Sequence, residues 1–475
     1  MKNDLGKLIL RLILSVFVAF VIFSAGSYLV AVPAYIAVPF IVSFLITFII
    51  GDKKIASAAS LIISCLGCLI FAAPPFRVPG FTPDSIINNI VSARQAYLLS
   101  YTHPLLLGVL GGLLGWGIAS ITAEKKKALS VITWIFFVVI CINFIWVSLD
   151  LNPSSIQMAW EEPVPGKYNN YNSLNLKTFY LMKHGADFYS AYSLAFAEKA
   201  DSPGMGPGNL WNWRMPTVFY IWKWLLPKDG FYIFYFYLII CILMLWLMFS
   251  IASVYLEHPL NLIAPLLVCP LFVYGAAGFW YTFSEYWGVF FLFAGIWGIF
   301  KRNIPVTAAG ITLALVTRSF FIIPWAGLML FVLLKKDRKQ ILACLLPFVV
   351  FAAAFLAHYF KVMSLSGAEI SPPGEWMRGN FSHFLATMGF GSALVSQPEI
   401  SIPMIVCLAA VVIVKMKNDH NIRMLAGAAF LPMILFIFVG PETERAYWGI
   451  IYLPFLLLLA GLCPVIIPEA RRKEA

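Results

Sequence analysis

The stretch at residues 231–252 reads FYIFYFYLIICILMLWLMFSIA, with no charged residue from end to end. A helix rises 1.5 Å per residue, so about 20 apolar residues cross a hydrocarbon core about 30 Å thick. This stretch is therefore a membrane span. Working outward, the same pattern recurs before it at 12–30, 34–50, 55–73, 104–121 and 131–149. After it come 260–280, 286–300, 303–334, 340–360, 402–414, 425–439 and 448–462. Composition agrees: the 475-residue chain is 61% hydrophobic and only 12% charged, whereas a soluble domain carries about 25% charge. The first apolar run extends over 8–30, too long for a signal-peptide core and without a small-residue cleavage site, so it reads as a permanent span. The expected fold class is an all-α polytopic membrane protein, a helical bundle of roughly 12–14 spans with extracytoplasmic loops carrying interfacial helices.

A formal charge of +11 can signal a nucleic-acid partner. Its placement argues against one. Basic residues concentrate in short segments at 53–54, 125–127, 301–302, 335–339, 415–423 and 471–473, which is the positive-inside pattern of cytoplasmic loops. Lys2, Lys7 and Arg11 then place the N-terminus in the cytoplasm, and the C-terminal tail joins it. Two consequences follow. Residues 213–226 are too few to cross and are expected to dip in and return. Residues 303–334 are expected to form a helical hairpin with Arg318 at its outer tip, since both ends are basic. All eight cysteines lie in apolar runs, and the Cys65–Cys68 pair has no companions for a metal set. His184, His258 and His383 offer no metal spacing. A divalent metal is left open, with no convincing ligand set. No G-x-x-x-x-G-K-[ST] motif is present, which argues against ATP-driven transport by this chain.

The largest polar insertion is residues 149–214. It starts loop-like at Asn152-Pro153 and turns helical near 172–183, where Leu174, Leu176, Phe179, Tyr180 and Met182 can share a face. That suggests an interfacial helix carrying Gly185-Ala186-Asp187-Phe188-Tyr189-Ser190-Ala191-Tyr192 at its far end. A second helix over 189–199, a Gly/Pro-rich stretch at 201–208 and the re-entry Trp213-Arg214-Met215-Pro216 follow. An earlier external loop, 74–103, holds a capped surface helix starting at Thr82-Pro83-Asp84.

A charge inside a membrane costs about 2.5–3.5 kcal/mol even on lenient scales, so each one asks for a reason. On the expected topology the unexplained charges gather on the outer face: Asp150, Glu161, Glu162, Asp187, Arg214, Glu285, Arg318, Glu442, Glu444 and Arg445. Carboxylates converging with arginines suit an anionic substrate. Guanidinium forks clamp phosphate, and a carboxylate takes the proton of an attacking hydroxyl. Each also has a plainer reading. Asp150 is a helix end at the water interface, and Glu161-Glu162 a solvated loop. Arg318 is a hairpin tip reaching headgroups, 441–445 an exposed turn, and Tyr189 and Tyr192 members of an interfacial aromatic belt.

The order of these features resembles the GT-C superfamily of integral membrane glycosyltransferases, and within it the polyprenol-phosphate-mannose-dependent mannosyltransferases. The resemblance rests on Gly-x-Asp-Phe-Tyr-x-x-Tyr in an external loop and an aromatic-basic re-entry with Pro216. An outer-rim Glu285, a Thr317-Arg318 hairpin and the C-terminal Glu444-Arg445-x-Tyr447 complete it, over residues 129–465. It implies a four-span module at 1–128, a glycosyltransferase core at 129–465 with its catalytic loop at 149–214, and a cytoplasmic tail at 466–475. The implied activity is transfer of a sugar from a polyprenyl-phosphate donor to an acceptor hydroxyl on a glycan or glycolipid. The reaction would invert the anomer and occur on the extracytoplasmic face of a bacterial plasma membrane, in contact with its lipids. Asp187 would be the general base, with Asp150 in reserve. Arg318, Arg445 and Arg214 would hold the donor phosphate, and Tyr189, Tyr192, Glu285, Glu442, Glu444 and Tyr447 would line the substrate cavity. Four extra spans before the catalytic loop depart from the family pattern. A second frame makes 74–103 the catalytic loop with Asp84 as base. A lipid-linked glycan flippase, ligase or polymerase is the alternative function; a structural membrane protein would tolerate neutral replacement of the outer charges.

Overall fold

The computed structural model describes residues 126–150, 171–199, 209–227, 231–258, 260–277, 280–366, 381–390, 398–439 and 443–463. The four spans expected before residue 122, the 74–103 loop with Asp84, Glu161-Glu162, Glu442 and the tail lie outside these residues. Among the described residues the regular elements are helical. In chain order they are α1 (Lys126–Asp150), α2 (Tyr171–Lys183), α3 (Phe188–Lys199), α4 (Thr217–Leu225), α5 (Phe231–Ala252), α6 (Ile263–Ala277) and α7 (Ser284–Phe300). Then come α8 (Ile304–Thr317), α9 (Ile322–Lys335), α10 (Arg338–Ser366), α11 (Phe381–Gly389), α12 (Pro398–Lys415), α13 (His420–Phe438) and α14 (Leu453–Gly461). Three of them, over Tyr232–Ala252, Arg338–Leu365 and His420–Phe438, are long and apolar enough to cross a bilayer.

The helix ends follow local chemistry. Asn303 caps α8 by accepting the Val306 N–H at 3.2 Å, with Pro305 in the first turn where its missing donor costs nothing. Asp419 caps α13 through the Asn421 and Ile422 N–H groups. Lys336 closes α9 in the left-handed conformation, at φ 57°. α10 and α13 carry Pro347 and Pro432 internally, which membrane helices tolerate because neighbours and local adjustment satisfy the freed groups.

The hairpin α7–α8 is the packing unit that matters for the site. Along α7, Glu285, Gly288, Leu292, Gly295 and Ile299 fall on one buried face. Near the turn, a Cβ on Gly298 would come within 2.6 Å of the Thr307 nitrogen; midway, one on Gly295 would come within 3.0 Å of the Ile311 nitrogen. The missing side chains let the two backbones approach closely, as small residues do in membrane helix pairs. The antiparallel register then brings Glu285 and Arg318 to the open end.

Contacts also order the ends of the bundle. Tyr255 donates to Asp419 at 3.3 Å and packs edge-on against Phe300, so the start of α13 lies at the Lys301 end. α9 leaves the Arg318 end, and Gly327 abuts Gly427, in the second turn of α13. α9 therefore runs back toward the Lys301 end, and α10 returns beside it, with Trp325 Nε1 donating to the Cys344 carbonyl at 2.8 Å. The basic segments 301–302, 335–339 and 415–423 thus share one end of the bundle, and the Glu285–Arg318 pair occupies the other.

One expectation needs adjusting. The apolar run at 448–462 is not one α-helix: Thr443–Ile451 is a 3-10 helix, and α14 starts only at Leu453 with Pro454 in its first turn. The 3-10 segment rises ~18 Å and α14 ~13 Å, so together they still cover about a bilayer's thickness. Residues 213–226 hold only α4, nine residues long; its ~13 Å rise is too short to span.

Candidate functional site

Glu285 stands in the first turn of α7, fully buried. Its Oε1 accepts from Arg214 Nη1 at 2.9 Å and from Arg318 Nε at 2.9 Å, while Oε2 accepts from the Ser284 hydroxyl at 3.2 Å. The two arginines are only 5% and 4% exposed, so all three charges are withdrawn from water. Among the described residues, one carboxylate against two guanidiniums leaves a surplus positive charge in the cluster. Burial of unbalanced charge is expensive, and the cluster is suited to receive an anion. Both arginines meet Glu285 through the same oxygen, so their remaining N–H groups point elsewhere.

Each arginine is set in place by its own short device. Arg214 lies in the link between the 3-10 turn Leu210–Asn212 and α4. Tyr192 on α3 donates to the Asn212 carbonyl at 3.1 Å, and Thr217 donates to the Val316 carbonyl at 2.6 Å. That pins the link to the end of α8. Arg318 is a single extended residue (φ −152°, ψ 122°) between α8 and the 3-10 turn Ser319–Phe321. It is buried, not an exposed tip reaching for headgroups.

Aromatic rings close the cluster. The Arg214 guanidinium lies 5.8 Å from the Phe283 ring and that of Arg318 4.7 Å from Phe320. Tyr447 hydrogen-bonds Arg214, meets Phe283 edge-on at 4.8 Å and stacks on Trp280 at 5.8 Å. A polar bond from the Asn175 amide to the Thr282 carbonyl, 3.1 Å, ties α2 to the strip leading into α7.

No family model, characterised protein or solved structure matches the chain. The site is therefore read from its own geometry.

Of the residues singled out by sequence, Arg214, Glu285, Arg318, Tyr192 and Tyr447 meet here. Asp187 does not join their ion pairs. It is exposed and precedes α3, where Oδ1 accepts the N–H groups of Tyr189 (3.0 Å) and Ser190 (3.3 Å), and Oδ2 accepts the Ser190 hydroxyl. This is an N-cap, a structural reason for a carboxylate there. Partial desolvation acts to raise the Asp187 pKa, but the Ser190 and Tyr189 hydrogen bonds and the charge of Lys361 hold it below the ordinary value. Gly185, at φ 104°, makes the reversal from α2 to α3 that a side chain would strain. Asp150 ends α1, and Glu444 and Arg445 lie in the 3-10 helix Thr443–Ile451, but their side chains fall outside the described residues.

His358, which the sequence reading passed over inside an apolar run, reaches the edge of this site. Tyr189 places its hydroxyl 3.0 Å from His358 Nδ1. Its ring lies 5.6 Å from that of His358 and 6.1 Å from that of Trp213, next to Arg214. Burial, followed by the nearby Tyr220 and Asp187, pushes the Tyr189 phenol up to about 12, so it stays protonated and can donate. The available signal was a lone ionisable side chain within a predicted span.

Proposed function

We propose that this chain is an integral membrane glycosyltransferase, moving a sugar from a polyprenyl-phosphate donor to an acceptor hydroxyl at the end of the bundle opposite its basic loops. That end would be the extracytoplasmic face. The observation that carries the reading is the buried Arg214–Glu285–Arg318 cluster, with two cations to one anion, ringed by Tyr192, Tyr447, Phe283 and Trp280. The aromatic rings suit the apolar faces of a sugar, and the surplus charge suits a phosphate.

In the proposed reaction the acceptor O–H bond breaks as its oxygen bonds the anomeric carbon, and the carbon–oxygen bond to the donor phosphate breaks on the opposite face. The proton passes to a carboxylate, assigned to Asp187 with Asp150 as the rival. The lipid phosphate departs with one more negative charge than the donor carried. Arginines gain most when that charge has developed, so they favour the transition state over the bound donor. Glu285 holds both guanidiniums in place beforehand, which removes the reorganisation a flexible pair would need.

The test is transfer from a labelled polyprenyl-phosphate sugar by the purified full chain in nanodiscs. Arg318→Ala should lower transfer by about 100-fold, the usual effect of removing one electrostatic stabiliser. Absence of transfer by the wild-type chain would sink the reading, and undiminished transfer in Arg318→Ala would remove the arginine cluster from it. Movement of a whole glycan, not one sugar, would turn it into a ligase.

A further inference from the structure

The turn between α9 and α10 reads Lys335-Lys336-Asp337-Arg338-Lys339 and lies at the Lys301 end of the bundle, opposite the arginine cluster. Lys336, Arg338 and Lys339 are exposed, and Lys335 is half-buried. Asp337 offsets one of these charges at most, and it faces its own backbone. Its Oδ1 accepts the N–H groups of Lys339 at 3.1 Å and Gln340 at 3.3 Å, as the cap of α10. Among the described residues none of the four cations is ion-paired with a carboxylate. Apolar side chains border the turn on both helices. Leu333 and Leu334, just before it, are 52% and 57% exposed, and Leu342, just after it, is 64% exposed. On membrane helices such residues face acyl chains, so the cations stand at the edge of the lipid-facing surface, at the depth of the headgroups. The backbone adds an independent reason. Lys336 takes the left-handed conformation, at φ 57°, which glycine adopts freely and a residue with a side chain does not. Arg302, in the α7–α8 turn at the same end, does so at φ 55°. Among the described residues these are the only non-glycines with positive φ, and both are exposed cations. A cation kept where glycine would fit better is kept for what its side chain meets.

We propose that the α9–α10 turn binds the phosphate of an anionic phospholipid in the leaflet at the Lys301 end, through Lys336, Arg338 and Lys339. A lipid is favoured over a soluble anion because the exposed leucines on both helices continue the charged patch into the hydrocarbon. A single ligand meets both surfaces only if it carries a phosphate and acyl chains. A zwitterionic headgroup brings its own cation to the turn and cancels much of the attraction, whereas a phosphatidylglycerol headgroup keeps its net negative charge. The site lies at the end of the bundle away from the Arg214–Glu285–Arg318 cluster, and it stands or falls independently of sugar transfer.

The experiment measures binding of phosphatidylglycerol and of phosphatidylcholine, separately, to the purified full chain in neutral maltoside micelles by native mass spectrometry. Wild type should prefer phosphatidylglycerol. Lys336→Gly should weaken phosphatidylglycerol binding about fivefold, the usual effect of one basic residue near an anionic surface, and leave phosphatidylcholine binding unchanged. Its thermal stability without lipid should equal or exceed wild type, because glycine relieves the left-handed backbone. Asp337→Asn keeps the cap of α10 and removes the anion of the turn, so it should tighten phosphatidylglycerol binding by a similar factor. Unchanged phosphatidylglycerol binding in both variants overturns the proposal. So does equal weakening for both lipids in Lys336→Gly, which would leave only the leucine surface. Displacement of the lipid by an equal concentration of inorganic phosphate overturns it as well, since the turn would then be a site for a free anion. A loss of binding in Lys336→Gly that tracks a fall in thermal stability, with Asp337→Asn binding no tighter than wild type, would make the turn merely structural.

Discussion

Arg318 Nε donates to Glu285 Oε1 at 2.9 Å across 33 positions of chain, and both side chains are buried. Removing one partner of a buried ion pair strands the other, at a cost of about 3–5 kcal/mol. Glu285→Gln should therefore destabilise the protein strongly, because it leaves two guanidiniums facing each other without their shared anion. Unfolding of the purified chain in mixed micelles reads this. Adding Arg318→Met to Glu285→Gln should recover part of the loss; strictly additive effects would show that the pair is not coupled.

The close approach of α7 and α8 gives a second prediction. Gly295→Leu places a side chain against Ile311 and its backbone, and overpacking of this kind costs about 1–3 kcal/mol. Because the same hairpin aligns Glu285 with Arg318, phosphate binding should fall more than stability does. Gly327→Leu, where a Cβ would come within 2.1 Å of the Gly427 carbonyl oxygen at the α9–α13 contact, should cost at least as much stability, with binding better preserved. Equal loss of binding in the two variants would break the link between hairpin register and site.

Asp187 separates two roles in one residue. Asn is as good an N-cap as Asp, whereas Ala costs about 1 kcal/mol. Asp187→Asn should leave stability near wild type and abolish transfer if Asp187 is the base. Transfer that survives in Asp187→Asn would pass the role to Asp150. The pH dependence has a fixed sign: with its folded pKa lowered, Asp187 stabilises above the ordinary value of 3.8 and loses that contribution as pH falls through the folded value. The stability gap between wild type and Asp187→Ala should stay level from neutral pH down to mildly acidic conditions, then shrink below 3.8.

Lys183 donates to the carbonyls of Lys223 and Leu226, holding the C-terminal end of α4 against the end of α2. Lys183→Met keeps the length of the side chain and removes these bonds. Amide exchange over residues 220–226 should accelerate about tenfold or more, the loss of a charge-assisted hydrogen bond, while exchange in α7 stays unchanged. Unaltered exchange in α4 would mean its burial alone holds it.

Much of the architecture was readable residue by residue. The run at 231–252 coincides with α5, and 131–149 lies within α1, because a helix in hydrocarbon must satisfy its backbone internally and must be apolar along its length. The basic segments at 301–302, 335–339 and 415–423 sorted to one end of the bundle, as their common charge anticipated. The helix after residue 171 was signalled by the spacing of its apolar residues. The split at 451–453 was harder to see, since apolar residues in a 3-10 turn and in an α-helix have the same composition.

The candidate site was legible as a set of residue types and illegible as a set of contacts. Sequence alone determined that charged side chains at 214, 285 and 318 border or interrupt apolar runs, where an ionised group asks for a reason. Only the tertiary structure decided that one carboxylate oxygen serves both arginines, that Asp187 caps its own helix, and that His358 joins Tyr189. Local patterns carry the burial of a residue and its helical face. The choice among distant partners is made by the close glycine-mediated approach of helices and by the bends between them, which bring together groups that are far apart in the chain.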